Sequence, residues 1–415
     1  MSILYGNAVV GQSGGPTAAI NATLAGVIRG YLDKDSHGGA IGTLYGMRNG
    51  VEGLLREDLV DLGAIFAKDE DITRLEHTPA AALGSCRKKL PKMDEEGGEE
   101  VYARLLEIFK KYNIRYFFYI GGNDSMDTVA KLSEYTKGHE YEMRIIGVPK
   151  TIDNDLVGTD HTPGFPSAAK YIAVTMQEII RDCAVYTTKA VTIVEIMGRD
   201  SGWLTTASAI GRVVNGVAPD YVYLPERTFS MEQFFADVRA ALEKHPNVVI
   251  AVSEGVRFAD GRYVCEGIGV ESTDAFGHKQ LSGTGKALEL AVKAEIGCKV
   301  RSIELNLPQR CAAHIASVQD LTESVSVGRA AVKAAAEGLS REMMLILRGE
   351  GEEYSFTIGH SDVSEIANKI KVVDDKFINE AGNDVTDDCC RYLLPLIAGE
   401  ASPKFIQGIP DYVVI

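Results

Sequence analysis

Apolar and polar residues alternate along this chain in two rhythms. Short, nearly continuous runs of aliphatic and aromatic residues occupy 7–11, 41–44, 116–120, 145–148, 191–196, 248–252 and 344–347. Such runs fit strands buried on both faces. Between most of them lie longer stretches whose apolar residues recur with a helical period, at 17–31, 99–112, 125–135, 165–182 and 285–295. Strand and helix taking turns predicts an α/β protein with largely parallel sheets. Ligands of such sheets sit beyond the carboxyl ends of the strands, so the residues after each run are the ones to read for chemistry.

Glycine and charge gather there. After the first run comes Gly11-Gln12-Ser13-Gly14-Gly15-Pro16-Thr17. It joins strand to helix and suits either a phosphate cradle or a tight turn, since both use glycine for the same steric reason. It is neither a Walker A loop nor GxGxxG, and no dinucleotide-binding unit occurs elsewhere, which argues against a dehydrogenase. After 116–120, the sequence Gly121-Gly122-Asn123-Asp124-Ser125 supplies oxygens that either cap a helix or hold a hard cation such as Mg²⁺. After 145–148, Pro149-Lys150-Thr151-Ile152-Asp153-Asn154-Asp155 sets a cation for phosphate beside carboxylates able to take a hydroxyl proton. An Asx-rich turn would explain Asn154-Asp155 but not Lys150 or Thr151. After 191–196, Met197-Gly198-Arg199-Asp200 presents an arginine that can grip a phosphate, unless it is spent on Asp200. Glu254-Gly255 and the segment from Arg301 to Arg310 repeat the pattern. Together these strand ends predict phosphoryl transfer.

Composition narrows the setting. A chain of 415 residues is long enough for two domains, and 45% hydrophobic with 24% charged residues marks a globular protein. No apolar run approaches the ~20 residues of a membrane helix and no leader pattern opens the chain, so a cytoplasmic protein without a membrane partner is expected. Seven cysteines without CxxC spacing read as reduced, buried thiols. The net charge of -15 opposes nucleic-acid binding, so anionic phosphates must be held in local pockets.

The motifs GGNDS, PKTIDND, MGRDSG, SEG and PQR, in that order between Asn7 and Gln319, resemble the phosphofructokinase family. The resemblance implies phosphoryl transfer to the C1 hydroxyl of fructose 6-phosphate, giving fructose 1,6-bisphosphate in glycolysis or gluconeogenesis, with Mg²⁺ as cofactor. By it, Asp153 is the base, with Thr151 and Asp155 beside it, and Lys150 and Arg199 offset charge. Met197, Gly198, Glu254, Arg301 and Arg310 take the sugar and its 6-phosphate. Gly15, Arg87, Gly122, Asn123, Asp124 and Ser125 hold the donor. ATP-using members read GGDGS and PGTIDND, so Asp124 would repel a nucleotide's α-phosphate while Lys150 neutralises a leaving phosphate. This resembles the pyrophosphate-dependent branch, whose reaction is readily reversible. An ATP-dependent enzyme is the nearest rival, and a non-catalytic sugar-phosphate binder would not need Asp153, Lys150 and Arg199.

Three positions depart from the family pattern. Asn123 stands where most members carry the Asp associated with Mg²⁺, leaving an amide oxygen or a water-mediated contact. Leu307 replaces a polar residue before Gln309-Arg310, and Cys311-Ala312 follow where two glycines are usual. Ala190 replaces an arginine that ATP users contribute across a subunit interface, with Lys189 beside it. The resemblance also implies two doubly wound, Rossmann-like domains exchanging segments, 1–163 plus 309–375 for the donor and 164–308 plus 376–415 for the sugar phosphate. It implies a homodimer or homotetramer with the sugar site near a subunit interface. The tail 338–415 has no functional reading.

Overall fold

Each of the predicted apolar runs becomes a strand. In the computed structural model, which describes residues 3–266, 272–273, 279–280 and 283–415, the chain first forms β1 (Gly6–Gln12), β2 (Ile41–Met47), β3 (Leu59–Asp61), β4 (Ile114–Gly121) and β5 (Arg144–Pro149). Then come β6 (Ala190–Ile196), β7 (Tyr221–Tyr223), β8 (Asn247–Ser253), the short pair β9 (Ser272–Thr273) and β10 (Lys279–Gln280), and β11 (Lys299–Glu304). It ends with β12 (Glu342–Arg348), β13 (Phe356–Asp362) and a hairpin of β14 (Phe405–Ile406) and β15 (Ile409–Pro410). One seven-stranded sheet runs β13-β12-β5-β4-β1-β2-β3, and one four-stranded sheet runs β11-β6-β8-β7. Neighbours pair in parallel except at the two edges of the larger sheet, where β3 and β13 are antiparallel.

Both faces of both sheets are covered, which is why their strands read as unbroken apolar runs. In the larger sheet Ala8, Val10, Phe118 and Ile120 face the helices Ile20–Leu32 and Val318–Ala336, while Val9, Phe117 and Tyr119 face Gly98–Lys111 and Asn123–Gly138. In the smaller sheet Val194, Ile196 and Ala251 pack on Phe165–Cys183, and Val191, Ile193 and Ile250 pack on Met231–Lys244 and Thr284–Glu295. The fold is therefore two doubly wound α/β units: the strand and helix alternation predicts the parallel sheets, and the family resemblance implies the doubly wound pair.

The chain passes between the two more than once. After β11 it returns to the larger sheet with Val318–Ala336, β12 and β13. Val373, Phe377, Cys389 and Leu393 then enter the core of the smaller sheet, and Val413 and Ile415 finish against the core of the larger one. The helices Ile20–Leu32 and Val318–Ala336 meet backbone to backbone. A Cβ on Gly26 would lie 2.2 Å from the Val325 carbonyl oxygen, and one on Gly328 would lie 2.3 Å from that of Thr23. Only glycine allows that approach.

One helix starts later than the sequence predicts. Its first turn opens at Ile20 and not Thr17, because the buried Thr17 hydroxyl accepts from Ala19 N at 3.2 Å and its carbonyl accepts from Ala80 N at 3.2 Å. All seven cysteines are free thiols. Among the described residues no helix is long and apolar enough to cross a membrane.

Candidate active site

Strands β1, β4 and β5 are neighbours, so the loops after them meet at one sheet edge. Backbone bonds lock them together: Ser13 N donates to Ile120 O at 2.9 Å, Gly14 N to Cys86 O at 3.0 Å and Lys150 N to Gly121 O at 3.0 Å. Gly14 sits at φ +77°, a left-handed conformation that disfavours side chains. Lys150 is buried and its Nζ donates to Gly15 O at 2.7 Å. Arg310 closes on the same loop, its Nη1 3.5 Å from where a Cβ on Gly15 would stand.

The second loop resolves one ambiguity of the sequence. Asn123, Asp124 and Ser125 form the first turn of Asn123–Gly138, and no side chain caps that helix. Asp124 instead pairs with Lys89 at 2.9 Å. Asn123 Nδ2 donates to Lys369 O at 3.0 Å, and its Oδ1 is buried with no partner. In the third loop Asp153 N donates to Thr151 Oγ1 at 3.1 Å, and Asn154 turns the chain at φ +54° with its Oδ1 accepting from Thr162 N at 3.0 Å. The Asx turn and the charged pair coexist: Asn154 makes the bend and aspartates flank it.

The smaller sheet faces this edge with its own strand ends. Met197 N donates to Gln309 Oε1 at 3.2 Å, and Gly198 N donates to Glu254 Oε1 at 3.3 Å. Gly198 lies at φ +140°, where a Cβ would come 2.5 Å from Ser201 O. The Arg199 backbone rests on Gly255, where a Cβ would overlap its carbonyl at 1.8 Å. Asp200 pairs with Arg257, and Arg199 Nε is buried with no partner. Arg199 is thus not spent on its neighbour.

The two sets of loops enclose a cavity of about 900 Å³. Gly15, Arg87, Gly122, Asn123, Asp124, Ser125, Lys150, Thr151, Asp153, Asp155, Met197, Arg199, Glu254 and Arg310 all line it. Gly198 is not among the lining residues; its N–H holds the lining Glu254. Arg301 does not join them; it is exposed on β11 and lines a separate recess of about 110 Å³ with Lys299, Ala190 and Tyr186. Sequence reasoning missed Glu195, Asn368 and Ile370, which also line the main cavity, as does Asn306 within the segment from Arg301 to Arg310. Only Glu195 carried a signal, as a carboxylate inside the apolar run of β6.

Withdrawal from water dominates the electrostatics. It pulls the Lys150 ammonium down to about 8, against the opposing pull of Asp153 and Asp155. It pushes the Asp153 carboxyl up, despite Arg199 and Lys150, and lifts Asp155 to about 7 with help from Asp153. Glu254 rises to about 8 by burial and the nearby Asp153, and Glu195 to about 7 by burial. Burial and Arg87 lower Arg310. Carboxyls raised toward neutrality beside a lysine lowered toward it suit proton transfer near pH 7.

Comparison with known proteins agrees with this geometry. The family model described as Phosphofructokinase matches residues 7–335. The chain is 41% identical over 406 residues to the pyrophosphate–fructose 6-phosphate 1-phosphotransferase of Halomonas elongata, covering 97% of this chain and 94% of that one. It is 40% identical over 415 residues to the protein of that name from Methylococcus capsulatus, covering 99% and 96%. Among solved structures it is similar to the pyrophosphate-dependent phosphofructokinase of Nitrosospira multiformis, with TM-score 0.88, 38% identity and coverage of 99% and 96%. The match over residues 7–335 and relatives at least 40% identical over nearly the whole chain show that this chain belongs to the phosphofructokinase family.

Proposed function

We propose that this chain transfers a phosphoryl group from pyrophosphate to the C1 hydroxyl of fructose 6-phosphate, giving fructose 1,6-bisphosphate and phosphate, in either direction. One observation carries the reading: a buried Lys150 is fixed on the glycine loop while Asp153, three residues on, lines the same cavity as the uncommitted Arg199. Asp153 takes the C1 hydroxyl proton as the sugar oxygen attacks the terminal phosphorus. The bond from that phosphorus to the bridging oxygen breaks, and the leaving phosphate departs with its electron pair. Lys150 and Arg199 offset the charge that spreads over the transferring group. In the reverse direction Asp153 returns the proton.

On the donor side Gly14, Gly15 and Gly122 bring backbone close to the diphosphate, with Arg87 beside them. Asp124, paired with Lys89 at 2.9 Å, is our proposed barrier to a nucleotide's α-phosphate. On the sugar side Glu254, Met197 and Arg310 hold the acceptor. Arg301 faces away from its own cavity, and we assign it to the sugar phosphate of a neighbouring subunit in a homo-oligomer.

The orphaned, buried Asn123 Oδ1 and the carboxylate of Asp155 are hard oxygen donors suited to Mg²⁺, which leaves Asp153 for the proton. Among the described residues no group of three or more His, Cys, Asp or Glu could hold a metal by itself, so donor phosphate oxygens and water must complete the set. When bound, Mg²⁺ neutralises phosphate charge.

The test is direct assay of fructose 1,6-bisphosphate formation with each donor. Pyrophosphate is expected to exceed ATP in kcat/KM by about tenfold or more. Equal or faster turnover with ATP overturns the donor assignment, and no turnover with either overturns the activity.

A further inference from the structure

Between the two sheets runs a short connection that the sequence left unread. Ile366 is buried in the core of the larger sheet and Val373 in the core of the smaller one, while Asn368, Lys369 and Ile370 between them are exposed. The segment is thus anchored at both ends in different cores and lies across the cleft. Asn368 bends it at φ +64°, and Asn368 and Ile370 both line the 900 Å³ cavity. It is tied to two catalytic loops. Lys369 O accepts from Asn123 Nδ2 at 3.0 Å, and Lys371 N donates to Asp155 O at 2.8 Å. Lys371 Nζ also reaches Thr159 O at 3.2 Å, and Val373 N donates to Glu226 Oε1 at 2.9 Å.

We propose that this strap, Asn368 to Ile370, sets the length of donor the cavity accepts. The inference rests on the proposed pyrophosphate reaction and names the element that bounds its donor. The Asn123 contact places the strap against the first turn of Asn123–Gly138, where it walls the cavity beside the proposed donor loops. An inorganic diphosphate ends there. A donor with further phosphates or a nucleoside must displace Ile370 and break the Asn123 to Lys369 bond. Asn123 gains a reason for being an amide: its Nδ2 is a hydrogen-bond donor to a carbonyl, which an aspartate cannot supply. Asp124 and the strap then reject long donors by different physics, charge at one point and volume at the next.

Three inorganic or nucleotide donors separate these effects: pyrophosphate, tripolyphosphate and ATP, each assayed with fructose 6-phosphate on the full chain. Asn368→Gly with Ile370→Gly, and the milder Ile370→Ala alone, change exposed residues outside both cores. The double variant is expected to raise the tripolyphosphate-to-pyrophosphate ratio of kcat/KM by about tenfold, with Ile370→Ala moving it the same way by less. Added to Asp124→Gly, the double variant is expected to raise the ATP-to-pyrophosphate ratio beyond that of Asp124→Gly alone. Unchanged ratios in a folded, active variant overturn the proposal. So does an equal loss with all three donors, which would make the strap a support for the Asp155 loop. Failure of the unmodified chain to use pyrophosphate would overturn the underlying reaction instead.

Discussion

The two halves of the cavity are built in different ways. The donor half is made of backbone: three loops from adjacent strands, cross-bonded to each other, with Lys150 clamped onto one of them. The sugar half is made of side chains held one step back, Glu254 through Gly198 and Met197 through Gln309, and it opens toward the exposed Leu307. One of its expected members, Arg301, points elsewhere. A diphosphate is small and uniformly charged, so a rigid nest of N–H groups with Lys150 and Arg87 suits it. A sugar phosphate needs hydroxyl-specific contacts. The contrast supports the proposal above that Arg301 serves the sugar phosphate of a neighbouring subunit, while the donor loops all come from one chain.

Asp153, the proposed base joining the halves, should matter most. Asp153→Ala is expected to lower kcat by about 10² to 10⁴ with little change in either KM, the range for losing a general base. Steady-state kinetics in both substrates check it, and a change confined to KM for the sugar would move Asp153 into the acceptor half. Next, Lys150→Met should cost about 10² to 10³ in kcat/KM for pyrophosphate, measured against an unaltered KM for fructose 6-phosphate. Arg301→Ala should raise KM for fructose 6-phosphate by about tenfold while leaving that for pyrophosphate in place. An equal rise in both would erase the contrast.

The smallest effect is a shift in the pH profile. Asp153 is raised and Asp155 lies at about 7, so activity should fall as acid protonates them; Lys150 at about 8 should give the alkaline limb as its ammonium is lost. Bound pyrophosphate, an anion beside Lys150, favours the charged amine and should move the alkaline limb upward. Saturating sugar phosphate alone should leave that limb where it is.

The cores were plain in the sequence because burial on both faces makes strands continuous and apolar, and the strand-end rule then led to Lys150, Asp153 and Arg199. Local rules also misplaced some features. Thr17 reads as a helix start, yet its hydroxyl is used by Ala19 one turn early. Asp124 and Ser125 read as caps or cation ligands, yet both lie inside the first turn of a helix that no side chain caps. Asn368 and Ile370 carry no local mark at all, since their role comes from contacts with loops distant in sequence. Arg301 lies within β11 and lines the separate recess, whereas Arg310, in the short helix Pro308–Cys311 beyond the end of that strand, reaches the cavity.

The backbone contact of Gly26 with Gly328 has a consequence for how the molecule is made. During synthesis the amino-terminal helix emerges long before its glycine-matched partner, which lies beyond the entire smaller sheet. Until that partner arrives, an apolar face of the first sheet stays open to water and to other chains. The early half must wait, partly formed, for the late one, so maturation should be slow, dependent on chaperones and most vulnerable to aggregation before residue 336 has left the ribosome.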